Sequence, residues 1–188
     1  MTESKNIVIE YPSAQSHIFV GQPGMRRGDP DYFALYLANH SFGGSGFASR
    51  LVEVIREENG LAYSVYSYFS PLRQNGAFTM GMQTKSEQTE KALSLLESEL
   101  KKYVSEGPGD EELAASVSNV TGGFPLKIDS NGKLLGYLMM IGFYDLPLDY
   151  IDNFIDNIKS VDKGQINDAL KRRIQPDKMV TVVVGKQQ

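Results

Sequence analysis

The chain contains no cysteine. Disulfides, thiolate zinc sites and cysteine nucleophiles are therefore excluded. Histidine is almost as scarce, with only His17 and His40, far apart in sequence. Neither has a carboxylate or a second histidine at helical spacing, and no His-Glu-x-x-His or His-x-x-Glu-His run occurs. Both read as core or surface residues, and no zinc site within this chain is expected. Basic blocks are lacking too, since none exceeds Lys101-Lys102 or Lys171-Arg172-Arg173. With a net charge of −4 and a pI of about 5.2, nucleic-acid binding has no electrostatic support. No apolar run approaches the ~20 residues of a membrane span. Met1-Thr2-Glu3-Ser4-Lys5 lacks the apolar stretch of a secretory leader. The absence of cysteine fits the cytosol and the bacterial periplasm equally.

What is present is ordinary for a folded domain. The 188 residues are 41% hydrophobic and 22% charged. A chain of this length can bury roughly 70% of its unfolded surface around one core, so we read residues 1–188 as a single domain. Residues 6–10 and 15–20 read as strands, with Gln22-Pro23-Gly24 as a turn. Asp29 or Asp31 caps a helix to about 40, and an apolar stripe of Phe47, Leu51, Val54 and Ile55 predicts a helix over 46–58. Arg50, Glu53 and Glu57 fall on its solvated face, and Asn59-Gly60 stops it. Leu61 to Phe69 and residues 77–84 predict a hairpin, with Tyr63, Val65 and Phe69 on one face and Tyr66 and Tyr68 on the other. A long helix to about 105 follows, then one capped by Asp110, further helices near 130–143, 149–159 and 163–173, and a last strand over 179–184. Strands at both ends of a helical run exclude a simple alternating wound fold. They predict an α+β domain with helices on one face of a mixed or antiparallel sheet.

Candidate chemistry is sparse. Serines are plentiful, but there is no Gly-x-Ser-x-Gly. The run Gly43-Gly44-Ser45-Gly46 lacks the Gly-Lys-Ser/Thr of a phosphate loop and reads as a turn with positive φ and close backbone packing. The acidic clusters Glu57-Glu58, Asp110-Glu111-Glu112 and Asp149/Asp152 read as capping and solvated groups. Arg56 and Tyr63 are the pair of interest. They flank a helix stop and a strand start, which aims two hydrogen-bond donors at one region and suits a carbonyl oxygen or the oxyanion derived from it. On the residues alone, a surface pair of Arg56 with Glu53 and a solvated sheet tyrosine stand equally open.

The segment from Gly43-Gly44-Ser45-Gly46-Phe47 through Arg56-Glu57-x-x-Gly60-Leu61-Ala62-Tyr63-Ser64-Val65-Tyr66 resembles the pitrilysin/insulinase family of zinc metallopeptidases, specifically the C-terminal, non-zinc homologous domain. Gly21-Gln22-Pro23-Gly24, Leu146-Pro147-Leu148-Asp149-Tyr150 and Pro176 to Gly185 agree with it. Glu58-Asn59 departs from it, standing where the family often carries a basic pair. The resemblance implies a two-domain peptidase in which an HxxEH domain or subunit holds zinc. Arg56 and Tyr63 would bind the peptide substrate's carbonyl, with Gly43, Gly44 and Gly46 shaping the loop beside them. It implies no metal in this chain and no cleavage by it alone. A bacterial periplasmic setting fits the family, with the cytoplasm as the alternative. The other function the resemblance allows is a proteolytically inactive structural or assembly subunit.

Overall fold

Period-two alternation of apolar residues builds the sheet, and the 3.6-residue stripe builds its cover. The structure, a computed structural model, describes residues 3–185 apart from the Phe47 side chain. Met1 and Thr2, read above as lacking a leader, and the place of Phe47 in the apolar stripe lie outside the described residues. Five strands, β1 (Lys5–Glu10), β2 (Gln15–Pro23), β3 (Ser64–Ser70), β4 (Ala77–Lys85) and β5 (Val180–Gly185), pair in the order β1-β5-β2-β4-β3. β5 runs parallel to β1, with Lys5 opposite Val180, and antiparallel to β2. The other pairings are antiparallel, so the sheet is mixed. The fold is α+β.

One face of the sheet is buried. Ile18, Val20, Val65, Phe78, Met80 and Met82 point into the core, while Phe19, Tyr66 and Tyr68 on the opposite face remain exposed. The cover comes from α1 (Tyr32–Asn39), α2 (Thr89–Glu106), α3 (Asp110–Gly123), α5 (Tyr150–Lys159) and α6 (Lys163–Arg173). On α2 the stripe Ala92, Leu96, Leu100 and Tyr103 is buried. Removing one such leucine side chain costs about 2–5 kcal/mol. Buried Asp29 pairs with Arg173 at 2.6 Å, and Arg172 makes a bidentate contact with Asp31 at 2.7 and 2.9 Å. These pairs tie the start of α1 to the end of α6. The sixth helix, α4 (Asn131–Tyr144), is different, because only Ile141 is buried while Leu135, Leu138, Met139 and Phe143 face outward.

The structure corrects several local expectations. Gln22 and Pro23 are not a turn, because β2 continues through them opposite Phe78 and Ala77. Pro23 is tolerated there because the pairing with β5 ends at Gly21, so its missing N–H costs no ladder bond on that side. The helix expected over 46–58 is broken into a 3₁₀ turn, Gly46–Ala48, an extended Ser49, and a helix from Arg50 that widens to a π-helix over Val52–Glu58. The wider turn rotates the buried face, so Val52 joins Leu51 and Ile55 in the core while Val54 is half-buried. Asp110 is the first residue of α3 rather than its cap, and the Gly109 N–H is capped from within the helix by Glu112.

Candidate functional site

The glycine run places the helix that carries Arg56. A Cβ on Gly43 would lie 2.7 Å from the Ser67 backbone nitrogen, and one on Gly44 would lie 2.9 Å from the Asn39 carbonyl oxygen. Gly44 lets the π-helical turn His40–Gly44 close tightly on Asn39 at its own start, and Gly43 lets that turn sit against β3. Asn39 fastens the same contact, donating to the Ser67 carbonyl at 3.2 Å and accepting from the Ser67 hydroxyl at 2.8 Å. Gly46 has φ of 66° with nothing near its Cβ position, so it supplies conformation rather than space.

The helix is then anchored by a residue expected on its solvated face. Arg50 is a paired cation whose side chain is 15% exposed. Its Nε donates to Glu112 at 2.8 Å, its Nη2 engages the second Glu112 oxygen, and its guanidinium lies 4.7 Å from the Tyr103 ring centroid. Burial pushes the Glu112 carboxyl up, but the hydrogen bonds from Arg50 and the Gly109 N–H outweigh it and hold the group below its ordinary value. Sequence reasoning missed this clamp. A glutamate three residues after Gly109 is a capping signal, but nothing local ties it to an arginine 62 positions away.

Arg56 and Tyr63 stand at the two ends of the turn that leaves this helix. The Arg56 carbonyl accepts the N–H of Gly60 at 3.0 Å, and Gly60 takes φ of 61° to reverse the chain. Leu61 and Ala62 are buried, and the Tyr63 N–H donates to the Gln83 carbonyl at 3.1 Å. Tyr63 therefore precedes β3 and escapes its alternation. It does not share the inward direction of Val65 and Phe69 but is 58% exposed. No hydrogen bond engages its hydroxyl among the described residues. The Arg56 side chain is 38% exposed, and its Nε lies 3.4 Å from a carboxylate oxygen of Glu57, not of Glu53 as the surface-pair reading has it. An exposed pair of this kind is worth under about 1 kcal/mol.

The histidines have structural partners. His40 contacts the Ser116 hydroxyl at 3.0 Å and the Asn119 side-chain oxygen at 3.1 Å, and His17 contacts the Gln83 amide at 3.1 Å. Among the described residues no group of three histidine, cysteine or acidic side chains is placed to hold a metal ion, and no helix is long and apolar enough to cross a membrane. The implied zinc therefore does not fit the residues present here.

Comparison with known proteins gives a consistent picture. The family model for the peptidase M16 inactive domain matches residues 2–120. An uncharacterized zinc protease of Streptomyces coelicolor is 34% identical over 121 residues, covering 64% of this chain and 26% of that protein. The non-peptidase homolog YmxG of Helicobacter pylori is 30% identical over 145 residues, covering 76% of this chain and 33% of that protein. A crystal structure from Pseudomonas fluorescens, described as a peptidase M16 inactive domain, superposes with a TM-score of 0.94 at 35% identity, covering 99% of this chain and 44% of that one. The chain thus spans less than half the length of each of these three.

Proposed function

The chain belongs to the peptidase M16 inactive-domain family, and from that premise we propose that it is the substrate-binding half of a zinc metalloendopeptidase. The carrying observation is the presentation of Arg56 and Tyr63 at one surface turn, with the tyrosine hydroxyl unengaged among the described residues. In this reading residues 1–188 are the C-terminal, non-catalytic homologous domain of a longer peptidase. A guanidinium N–H and a phenol O–H together donate to a peptide carbonyl oxygen, orient it, and strengthen as negative charge develops there. The peptide lies as an added strand along a free sheet edge, and β3, which opens beside Tyr63, is an outer strand. Zinc and water activation belong to a partner HxxEH domain or subunit, and no step in this chain passes through the metal.

The test mixes the chain with the zinc-bearing half, on the same polypeptide or as a separate subunit, and follows cleavage of an unstructured peptide. Cleavage should require both parts. Arg56→Ala or Tyr63→Phe should lower the rate on the order of 10²–10³-fold, the usual cost of losing an oxyanion donor. Robust, chelator-sensitive cleavage by the chain alone would overturn the assignment, and cleavage untouched by either substitution would remove the pair from the mechanism. A second reading, a structural or assembly subunit without proteolysis, is favoured by the exposed apolar side chains of α4 and by the non-peptidase name of the Helicobacter relative. A stable, zinc-loaded complex that cleaves nothing would select it.

A further inference from the structure

A cluster of tyrosine hydroxyls and cations lies on the helical side of the domain, and neither Arg56 nor Tyr63 belongs to it. A pocket of about 410 Å³ opens between α1, the 3₁₀ turn Phe124–Lys127, α4 and α5. That volume is in the range of small-molecule sites. Its walls are aromatic. Tyr32, Tyr36, Tyr137, Tyr150 and Phe154 line it, and Phe154 stacks on Phe124 with ring centroids 4.1 Å apart.

Three cations line this pocket and no carboxylate does. Lys133 is neutralised by Asp129 at 2.8 Å just outside the lining. The other two are not neutralised. Arg27 donates to the Tyr32 hydroxyl at 2.7 Å and lies 5.5 Å from the ring centroids of Tyr32 and Tyr144, and its Nε–H is buried with no acceptor. The Lys127 ammonium donates to the Tyr36 hydroxyl at 3.3 Å. Neither makes an ion pair among the described residues. Arg27 is half-buried, held only by neutral tyrosines and left with an unmet Nε–H, a costly arrangement that an anion would relieve, and the exposed Lys127 adds a second positive charge to the same pocket. Burial holds the Tyr137 and Tyr150 phenols above their ordinary range, so both stay protonated and can donate.

We propose that this pocket binds a small carboxylate with a flat aromatic body, its carboxylate between Arg27 and Lys127 and its ring against the tyrosine and Phe154 walls. The cations select the charge, and the aromatic walls favour a ring over a bare anion. Gly136 gives access for a test, because it lines the pocket and a Cβ there would meet no atom within 4 Å.

The experiment titrates the full chain with indole-3-acetate by calorimetry, alongside the neutral indole-3-acetamide and inorganic phosphate. A dissociation constant on the order of 1 mM or tighter is expected for the acid, with at least tenfold weaker binding of the amide and of phosphate. Lys127→Gln and Arg27→Gln should each weaken the acid at least tenfold. Gly136→Leu should abolish binding without lowering the melting temperature, since leucine is the better helix former. This variant keeps the test decisive if Arg27→Gln fails to fold. Equal binding of acid and amide would overturn the role of the cations. Phosphate binding as tightly as the acid would overturn the aromatic specificity, and no binding of the acid or binding unaffected by Gly136→Leu would overturn the site. None of these variants touches Arg56 or Tyr63, so the outcome is independent of the peptidase reading.

Discussion

Glu112→Gln removes the charge of the Arg50 clamp while keeping its shape. Glu112 accepts three hydrogen bonds, two from Arg50 and one from the Gly109 N–H. A glutamine retains one oxygen and turns the other into an NH₂ donor. Whichever way it rotates, its NH₂ faces an Arg50 donor, and in one orientation the Gly109 N–H as well. An unmet buried donor costs about 1–3 kcal/mol. The two side chains are 15% and 30% exposed, so water relieves part of this, and about 2 kcal/mol of destabilisation is expected. For a domain of this size that lowers Tm by about 4–8 °C. Urea unfolding at pH 7 should shift the midpoint without changing m. A double-mutant cycle with Arg50→Met should give a coupling of about 1–2 kcal/mol. The pH dependence supplies an independent check. The folded Glu112 carboxyl lies below its ordinary value of 4.5, so its contribution is complete above that pH and is lost as pH falls through the folded value. The difference between Glu112→Gln and the parent should shrink in the same window. A loss under about 0.5 kcal/mol at pH 7, or additive behaviour with Arg50→Met, would refute the reasoning.

Gly43→Ala forces a Cβ to 2.7 Å from the Ser67 backbone nitrogen and should cost about 2 kcal/mol, whereas Gly46→Ala meets no atom and should cost about 1 kcal/mol for its positive φ; equal losses by thermal unfolding would contradict this. Burial, aided by the charge of Lys127 and opposed by the Asn119 contact, holds the His40 imidazole below its ordinary 6.5, so protons bind the unfolded chain more readily. Stability should therefore be full above about pH 6.5 and decline as pH falls below it, and His40→Gln should flatten that decline in unfolding curves taken from pH 7 to about 5. Arg56→Ala and Tyr63→Phe, both at an exposed turn, should leave unfolding free energy within about 0.5 kcal/mol of the parent; a larger loss would mark them as structural residues.

The sheet and most helices were legible because their signals are local and periodic. β1, β5, α5 and α6 fall within a residue or two of where apolar spacing and turn residues place them. The failures share one cause, which is contact from elsewhere in the chain. Pro23 reads as a breaker, yet it extends β2 because β4 supplies the partner and β5 has already ended. Arg50 reads as solvated, yet it is held by Glu112 from the start of α3. Tyr63 reads by parity as inward, yet the chain does not alternate until Ser64. The glycine run was read correctly in kind, since Gly46 supplies the positive φ and Gly43 and Gly44 the close packing. The pocket beside Arg27 draws on segments more than a hundred residues apart and left no local signal.

The insertion of β5 between β1 and β2 has a consequence for synthesis on the ribosome. Lys5 pairs with Val180 and His17 with Val184, so the gap between β1 and β2 is closed by the last of the five described strands to be made. At about 5–20 residues per second, the stretch between β2 and β5 takes on the order of 8–30 s to emerge. For that interval β1 has no partner strand and β2 offers an open edge, with Ile18 and Val20 already present. The hairpin of β3 with β4 and its pairing to β2 can form early, leaving an unfilled slot in a half-built sheet. An extended apolar segment from another nascent chain can enter that slot in place of β5. Yield on expression should therefore depend more on elongation rate and on holding chaperones than on the stability of the finished domain.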